Sequence, residues 1–487
     1  MTAHPALIAW PEDPSDAAGL ALWTSDEIAL ATGGRASAPF AVSGVEIDSR
    51  DVVEGDLFFA LKGETSDGHR YLEGAAGRGA PGSVVEHACF GPHVLVPDTM
   101  AALEALGRHA RARVDAAIIG VTGSAGKTGV KEALYAALDR ASRGRAHRSV
   151  KSYNNHVGVP LSLARMPAST RFGVFEMGMN HAGELAALTR MVRPHVAIVT
   201  TIAPAHIGHF TGEEDIADAK GEIFEGLEPG GTAIIPADSP HCELLRAKAA
   251  QHAGRVISFG TKADADVRLL DAVPAPGGGT LVTADLGGRK VCYTIAQPGE
   301  HWVANSLAIM AAVDAIGGDL GAAGLALAEM EGLAGRGARH TIPAQGGDGS
   351  GKALLIDESY NANPISMIAA FKSLGARKTL GRRIVALTDM LELGEAGPQY
   401  HAGLAEALAQ AGIDQVFCAG PLMKSLWDAL PPTRRGGYAE SAAELAPQVT
   451  RAVEPGDLVM VKGSNGSKAG AVTAALAALD VRSGKAG

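Results

Sequence analysis

The stretch Ile118-Ile119-Gly120-Val121-Thr122-Gly123-Ser124-Ala125-Gly126-Lys127-Thr128 sets the architecture of the central part of this chain. An apolar run leads into a glycine-rich turn, and a helical pattern follows. Such turns let backbone N–H groups approach phosphate oxygens, and the N-terminus of the next helix favours an anion. We expect Lys127 to reach the terminal phosphates of a nucleotide and Thr128 to bind Mg²⁺. The common P-loop pattern has glycine where Val121 stands, so a plain glycine-rich strand-to-helix turn is the alternative.

Strands and helices alternate on both sides of this turn. After Thr128, apolar residues such as Val130, Leu134 and Leu138 recur at three- and four-residue spacing, which is typical of a helix. Apolar runs predict strands at 172–175, 196–199, 232–235 and 256–259, and again at 353–356, 384–387, 416–419 and 458–461. This alternation indicates parallel sheets. Residues 263–297 carry only strand patterns and predict an antiparallel subsheet.

The length of 487 residues fits about three domains of about 150 residues each. We predict an α/β protein with a small N-terminal α/β domain over residues 1–112. A central P-loop domain with a parallel sheet and the antiparallel subsheet follows over residues 113–335. A C-terminal Rossmann-like domain over residues 336–487 completes the chain.

Composition excludes several classes of function. The net charge of −10 argues against a broad nucleic-acid surface. No run of about 18 apolar residues is present, so we expect no membrane span. The four cysteines are far apart in sequence, which argues against a zinc site or a disulfide framework. Residues 1–20 lack the pattern of a signal peptide, and we therefore expect a cytoplasmic protein.

Polar residues stand where several predicted strands end. They are Glu176, Thr200, Asp357, Asp389 and Lys462. Because ligands of open parallel sheets bind at the carboxyl ends of the strands, these positions predict an active cleft shared by two domains.

Three residues near the P-loop are candidates for metal chemistry. Glu176 offers carboxylate oxygens, which Mg²⁺ prefers, although a hydrogen-bonded glutamate at a strand end is an equal alternative. His206 lies in a loop where a structural histidine is more common, and Mg²⁺ rarely takes imidazole. Lys220, taken alone, reads as a solvated lysine on a helix.

Several motifs in sequence order resemble those of the Mur ligase family, and the resemblance spans nearly the whole chain. The motifs are the P-loop variant, Ser152-Tyr153-Asn154-Asn155-His156-Val157-Gly158, Glu176 with Asn180-His181, His206, Ala219-Lys220-Gly221-Glu222, Asn305, Gly335-Arg336-Gly337, and Asp357-Glu358-Ser359-Tyr360-Asn361-Ala362-Asn363-Pro364. In the N-terminal part, Asp48-Ser49-Arg50 and Asp67-Gly68-His69 resemble the UDP-recognition segment of that family.

The resemblance implies an ATP-dependent amide ligase that adds D-alanyl-D-alanine to UDP-N-acetylmuramoyl-tripeptide through an acyl phosphate. This reaction would yield the pentapeptide precursor of peptidoglycan, ADP and phosphate. The implied cofactors are ATP and two Mg²⁺ ions, and Lys220 would carry a carbamate that supplies oxygen to the second ion. The implied partners are these small molecules, and we expect a monomer that binds no nucleic acid.

The resemblance also implies a role for individual residues. Catalysis would involve Lys127, His206, Lys220 and Arg336. ATP would be bound by Gly123, Ser124, Ala125, Gly126, Lys127, Thr128, Asn305, Arg336, Asp357 and Asn361. The two other substrates would meet Asp48, Ser49, Arg50, Asn154, Asn155, Asn180, His181 and Asn363. The metal ligands would be Thr128, Glu176, His206 and carbamylated Lys220.

The chain departs from the family pattern in two places. Gly129 and Val130 follow Thr128, where the family often continues with hydroxyl residues, which puts further phosphate contacts in doubt. Near the C-terminus, Asn465 stands where the family usually has arginine, and that contact is missing or moved to Lys468.

Three other functions remain open. A folate-glutamylating ligase shares the scaffold but should lack the N-terminal UDP domain. A P-loop kinase would release a phosphorylated product without a second substrate. A nucleotide-gated binding module would bind ATP and tolerate the loss of Glu176 and His206.

Overall fold

The computed structural model describes residues 21–63, 66–203, 210, 212–276, 278–332, 335–344 and 351–483, the last four of them by backbone alone. His206 and the N-terminal segment 1–20 lie outside the described residues. Two compact units divide the chain. The first comprises residues within 1–116 and 145–173, and the second comprises 117–144 and 174–487.

The strands, in chain order, are β1 (Trp23–Thr24), β2 (Arg35–Ala36), β3 (Ala41–Val42), β4 (Gly44–Glu46), β5 (Asp56–Phe59), β6 (Gly82–Val85), β7 (His93–Leu95), β8 (Ala117–Thr122), β9 (Ala146–Arg148), β10 (Phe172–Glu176), β11 (Val196–Val199), β12 (Thr232–Pro236), β13 (Arg255–Gly260), β14 (Val267–Pro274), β15 (Thr280–Leu286), β16 (Arg289–Ile295), β17 (Ala338–Pro343), β18 (Lys352–Glu358), β19 (Arg383–Thr388), β20 (Gln415–Ala419), β21 (Arg435–Ala439) and β22 (Leu458–Lys462).

The α-helices are α1 (Ser25–Thr32), α2 (Leu72–Gly77), α3 (Thr99–Ala112), α4 (Lys127–Ser142), α5 (Gly158–Ala164), α6 (Glu184–Val192), α7 (Glu213–Gly221), α8 (Cys242–Ala249), α9 (Glu300–Ala315), α10 (Leu320–Glu329), α11 (Pro364–Gly375), α12 (Gly397–Gln410), α13 (Met423–Ala429), α14 (Ala442–Ala452) and α15 (Gly470–Ser483).

The first unit is built on a small sheet with the strand order β2-β7-β6-β5-β4. Strands β4 to β7 pair in parallel, and β2 adds an antiparallel edge. Its core holds Trp23, Leu57 and Phe59, which are completely buried. The Trp23 indole N–H donates to the Ala164 carbonyl at 2.8 Å, and the Arg113 guanidinium lies 3.4 Å above the ring centroid. Residues 145–173 therefore belong to the same core as the N-terminal strands.

The larger sheet of the second unit contains the P-loop strand in its parallel part. Its strands follow in the order β16-β15-β14-β13-β12-β11-β8-β10. Strands β8, β11, β12, β13 and β14 form parallel pairs. Strands β14, β15 and β16 are antiparallel. Both the parallel sheet and the antiparallel subsheet predicted from the sequence are thus confirmed.

A second sheet of this unit has the order β17-β18-β22-β19-β20-β21. The strands from β18 to β21 pair in parallel, and β17 is antiparallel to β18. One apolar cluster packs helices α11, α12 and α13 on the sheet, and another packs α14 and α15. This arrangement confirms the Rossmann-like prediction. Across the described part of the chain, no helix is both long and apolar enough to cross a membrane.

A buried carboxylate ties β22 to β19. Asp457 is 2% exposed and accepts hydrogen bonds from the backbone N–H and the side chain of Arg382 and from the N–H of Glu454. Burial works to raise the pKa of Asp457, but these hydrogen bonds outweigh it, and the pKa lies below its usual value of 3.8.

We expect Asp457→Asn to lower the free energy of unfolding at pH 7 by about 1.5–3 kcal/mol, because hydrogen bonds to a charged group are lost. A group with a depressed folded-state pKa stabilises the fold above its unfolded pKa. The difference between wild type and variant should therefore hold above about pH 4 and shrink at lower pH. Urea titrations at several pH values measure it. Asp428→Asn, which alters an exposed carboxylate beside Lys424, is the control. Equal losses in both variants would contradict the assignment.

Candidate functional site

The P-loop is held against the end of strand β11. Gly123 has φ +146°, and a Cβ there would lie 1.9 Å from the Thr200 hydroxyl, so only glycine fits. The Ser124 N–H donates to the Thr201 carbonyl at 2.8 Å, and its hydroxyl donates to the Ala203 carbonyl at 2.9 Å. The Thr200 hydroxyl in turn donates to the Ala125 carbonyl at 2.6 Å. The Ser124 hydroxyl is therefore engaged in shaping the loop.

Lys127 opens helix α4 and folds back over the loop. Its ammonium donates to the Gly123 carbonyl at 2.7 Å, which uses one of its three N–H groups. Burial lowers the pKa of Lys127, Glu176 works to raise it, and the positive charge of Arg336 lowers it further. The half-buried ammonium thus has little water around it, and an anion there would stabilise it.

Thr128 and Glu176 bring two kinds of oxygen together. The Thr128 hydroxyl donates to Glu176 Oε2 at 2.9 Å, and both residues are buried. Glu176 ends strand β10, and Thr128 lies in the first turn of α4. Mg²⁺ accepts such a sparse set because it usually keeps waters and substrate phosphates as its other ligands. Among the described residues, no three His, Cys, Asp or Glu side chains gather into a metal cluster.

Lys220 is buried, so the interpretation of it as a solvated lysine is wrong. It lies on α7 and is 2% exposed. Burial lowers the pKa of Lys220 well below its usual value, and the charge of Lys127 lowers it further. Among the described residues, we find no hydrogen bond or ion pair to its amine. Glu222 anchors the same segment, because its carboxylate accepts from the N–H groups of Gly183 at 2.7 Å and Ala186 at 3.1 Å.

A cavity of about 460 Å³ adjoins the P-loop. Residues from both sheets of the second unit line it: Ala125, Gly126, Gly129, Trp302, Asn305, Arg336, Glu358, Asn361, Asn363 and Lys462. The Arg336 guanidinium lies 4.3 Å from the centroid of the Tyr360 ring. The ring thus packs against one face of the guanidinium. Asn305, Arg336, Asn361 and Asn363, all predicted from the sequence, thus lie around one cavity next to the P-loop.

Two of the predicted residues have structural work in this arrangement. The Asp357 carboxylate accepts from the Gly335 N–H at 2.9 Å and from the Thr473 hydroxyl at 3.1 Å. It shapes the turn before Arg336 and does not line the cavity. Asn363 caps helix α11, since its side chain accepts from the Ser366 N–H at 2.8 Å.

Lys462 and Glu358 are cavity residues to which the sequence analysis gave no role in binding. Lys462 is buried, and its ammonium donates to the Asn361 carbonyl at 2.9 Å and lies 3.5 Å from Glu358. Burial lowers the pKa of Lys462, Glu358 works to raise it, and the charge of Arg336 lowers it again. The sequence does indicate that Lys462 belongs to the cleft, because it is a polar residue at the end of a predicted strand. Asp389, noted for the same reason, instead accepts from the Met423 N–H at 2.8 Å and holds the start of α13.

The departures from the family pattern have different outcomes. Gly129 faces Trp302, and a Cβ at this position would lie 2.8 Å from the indole ring. The missing side chain therefore makes room for Trp302 at the cavity wall. Asn465 and Lys468 are exposed, and neither lines the cavity.

Several other predicted residues that the structure describes do not line this cavity. In the first unit, Arg50 donates two hydrogen bonds to Asp48 at 2.9 and 2.6 Å, which lowers the pKa of Asp48 to about 2. The Arg50 N–H also donates to Asp48 Oδ1 at 3.0 Å, which forms an Asx-type turn. Ser49 lies between them, and Asn154 precedes Asn155, whose side chain accepts from the Gly158 N–H at 2.9 Å.

The loop after β10 carries the two other substrate candidates in the second unit. The Asn180 N–H donates to Glu184 at 2.8 Å, and the His181 ring lies 3.0 Å from the same carboxylate. Both side chains are exposed, which leaves them accessible to a ligand.

Known proteins resemble the chain over most of its length. Family models match as "Mur ligase family, catalytic domain" at residues 41–141, "Mur ligase middle domain" at 121–313, and "Mur ligase, glutamate ligase domain" at 347–465. UDP-N-acetylmuramoyl-tripeptide–D-alanyl-D-alanine ligase of Escherichia coli is 32% identical over 90% of this chain and 94% of its own. The enzyme of the same name from Bacillus subtilis is 32% identical over 88% of this chain and 91% of its own.

Solved structures agree with these relatives. MurF from Acinetobacter baumannii has a TM-score of 0.78 and 29% identity, and the match covers 94% of this chain and 99% of that one. MurF ligase from Thermotoga maritima in complex with ADP shares the fold, with a TM-score of 0.72 and 24% identity over 91% of this chain and 99% of that one. The chain belongs to the Mur ligase family.

Proposed function

We propose that this protein uses ATP to join D-alanyl-D-alanine to UDP-N-acetylmuramoyl-tripeptide. The observation that carries the proposal is the cavity beside the P-loop, which Arg336 and Lys462 line with positive charge and Asn305 with an amide. Lys127 lies on the adjoining loop. The curated relatives named for this reaction match the chain nearly end to end, which supports the choice of substrates. The reaction would take place in the cytoplasm, where ATP is available.

We assign the first step to the P-loop side of the cavity. A carboxylate oxygen of the tripeptide attacks the γ-phosphorus of ATP, the bond to the β-phosphate oxygen breaks, and ADP leaves. Negative charge gathers between two anions, so fixed cations and N–H donors lower the barrier. Lys127 and Arg336 would supply the positive charge, and Asn305 would orient the adenine base of ATP.

The second step needs no further phosphate chemistry. The free amine of D-alanyl-D-alanine attacks the acyl carbon, the carbon–oxygen bond to phosphate breaks, and the amide forms with loss of a proton. Residues around the cavity would keep water from the acyl phosphate. Asn363, Asn180 and His181 are our candidates for holding the acceptor side.

Thr128 and Glu176 would hold Mg²⁺, and the oxygen chemistry of this pair fits the ion. When bound, the ion neutralises charge on the phosphates. We assign His206 and Lys220 to a second ion. A neutral amine at Lys220 can attack carbon dioxide, lose a proton and become a carbamate, and burial favours the neutral amine.

We further propose that residues 1–112 bind the uridine diphosphate through Asp48, Ser49 and Arg50, with Asn154 and Asn155 completing the substrate contacts. Residues 113–335 would bind ATP, and residues 336–487 would complete the cavity. Arg50 is exposed, and a diphosphate would compete with Asp48 for its guanidinium.

The central test supplies ATP, Mg²⁺, UDP-N-acetylmuramoyl-tripeptide and D-alanyl-D-alanine. We expect mass spectrometry to detect the tripeptide lengthened by the dipeptide and one ADP for each product. Omitting the dipeptide should prevent the mass increase. A phosphorylated product that accumulates without the dipeptide would favour a kinase, and chain growth on a folylglutamate would favour the folate ligase.

Lys127→Ala should reduce ligation about 10²–10³-fold, because a cation that stabilises the transferring phosphoryl group is lost. The rate of ADP formation in the complete reaction measures this effect. Lys424→Ala, which removes an exposed lysine paired with Asp428, should leave the rate unchanged. Wild-type turnover by the Lys127 variant would refute the role assigned to this residue.

Lys220→Ala should abolish most of the activity, and short carboxylic acids should restore part of it by replacing the carbamate oxygens. The control is Lys248→Ala. Lys248 donates a hydrogen bond to Asp218, which lies on the same helix as Lys220, so this variant removes a different lysine that contacts α7. Initial rates with and without added acetate measure the rescue. Full activity in the Lys220 variant without acetate would rule out the carbamate.

A further inference from the structure

A second lysine of helix α4 is buried beside the proposed metal ligands. Lys131 lies one turn after Lys127 and is 0% exposed. Its ammonium is 2.9 Å from Glu132 Oε1 and 3.9 Å from Glu176 Oε2. Residues three or four positions apart share one face of a helix, so Thr128 and Lys131 face Glu176 together.

Glu176 has little freedom in this setting. It is 1% exposed, and its Oε2 atom accepts from Thr128 while it faces the ammonium of Lys131. Withdrawing a carboxylate from water is unfavourable, and an oppositely charged partner offsets this cost. The same oxygen atom of Glu176 thus meets both residues of α4.

We propose that Lys131 is a positioning residue that holds the Glu176 carboxylate against Thr128, so that both oxygen ligands stand ready for a metal–nucleotide complex. This inference rests on the proposed function, because it takes Thr128 and Glu176 as ligands. Lys131 does not line the cavity, so we assign it a role through Glu176. Residues that orient metal ligands typically change metal affinity about 10–100-fold when they are replaced.

Glu132 is a competing partner of Lys131, since its carboxylate oxygen is nearer to the ammonium than that of Glu176. The Glu132 side chain is 20% exposed, however, and water can solvate it without help from a lysine. Glu176 has no such access. The two partners can therefore be separated by experiment.

The test measures ADP binding by calorimetry over a series of Mg²⁺ concentrations in the full-length protein. We expect Lys131→Met, which keeps length and loses charge, to raise the Mg²⁺ concentration for half-maximal binding about 10–100-fold. Glu132→Gln should leave it unchanged. A Lys131→Met protein with wild-type Mg²⁺ dependence, or a Glu132→Gln protein with the same shift, would overturn the proposal.

Unfolding experiments keep the proposal testable if Lys131→Met does not fold. The double variant Lys131→Met/Glu176→Gln removes the buried carboxylate together with the charge that faces it and should regain a cooperative unfolding transition. Loss of that transition in the double variant as well would overturn the pairing. If wild type bound ADP with no dependence on Mg²⁺, the proposed function would fail, while the unfolding comparison would still decide whether Lys131 serves Glu176.

Discussion

The crowding of lysine amines with little access to water is the constraint on which the second unit depends. Burial lowers the pKa of Lys127, Lys220 and Lys462 alike. A neighbouring positive charge also lowers each of these pKa values. That charge is Lys127 for Lys220, and Arg336 for both Lys127 and Lys462. Such an arrangement is unfavourable in a folded protein unless an anion completes it. A nucleoside triphosphate carries the charge that this set of side chains lacks.

The fold limits this cost by placing an acidic or carbonyl oxygen beside the cations. Glu358 and Lys462 are register partners in the parallel pair β18–β22, so one ladder delivers both charges to the same edge. The Lys127 ammonium donates a hydrogen bond to the Gly123 carbonyl, and the Lys131 ammonium faces the Glu176 carboxylate. Carboxyl ends of parallel strands therefore contribute both the charges and the groups that offset them.

Sequence patterns predicted the sheets well where strands are buried on both faces. Strands β8, β11, β19 and β22 are continuous apolar runs, as expected for parallel strands covered by helices. The sequence patterns did not predict the edge strands β17 and β21, because polar residues interrupt Ala338–Pro343 and Arg435–Ala439 contains two glycines. Edge strands bury only part of their side chains, and hydrophobic periodicity is then weak.

The site was predictable only in part, for a different reason. The P-loop residues could be predicted because glycine, lysine and threonine together at the start of a helix form a known phosphate-binding motif. Lys220 became a candidate only through the family resemblance, and Lys131 was not a candidate at all. A lysine on a helix is usually solvated, and its burial depends on neighbours that are distant in sequence, such as Glu176 for Lys131.

The segment that carries Lys220 illustrates how this fold fixes a residue through its neighbour. Glu222 follows Lys220 by two positions. Both of its carboxylate oxygens accept hydrogen bonds from backbone N–H groups at the start of α6. That helix follows the loop of Asn180 and His181, so one carboxylate ties the Lys220 backbone to the proposed acceptor side. Negative charge at a helix N-terminus is favourable. Glu222 therefore stabilises α6 and holds Lys220 in place, although the side-chain amine of Lys220 has no hydrogen-bond partner among the described residues.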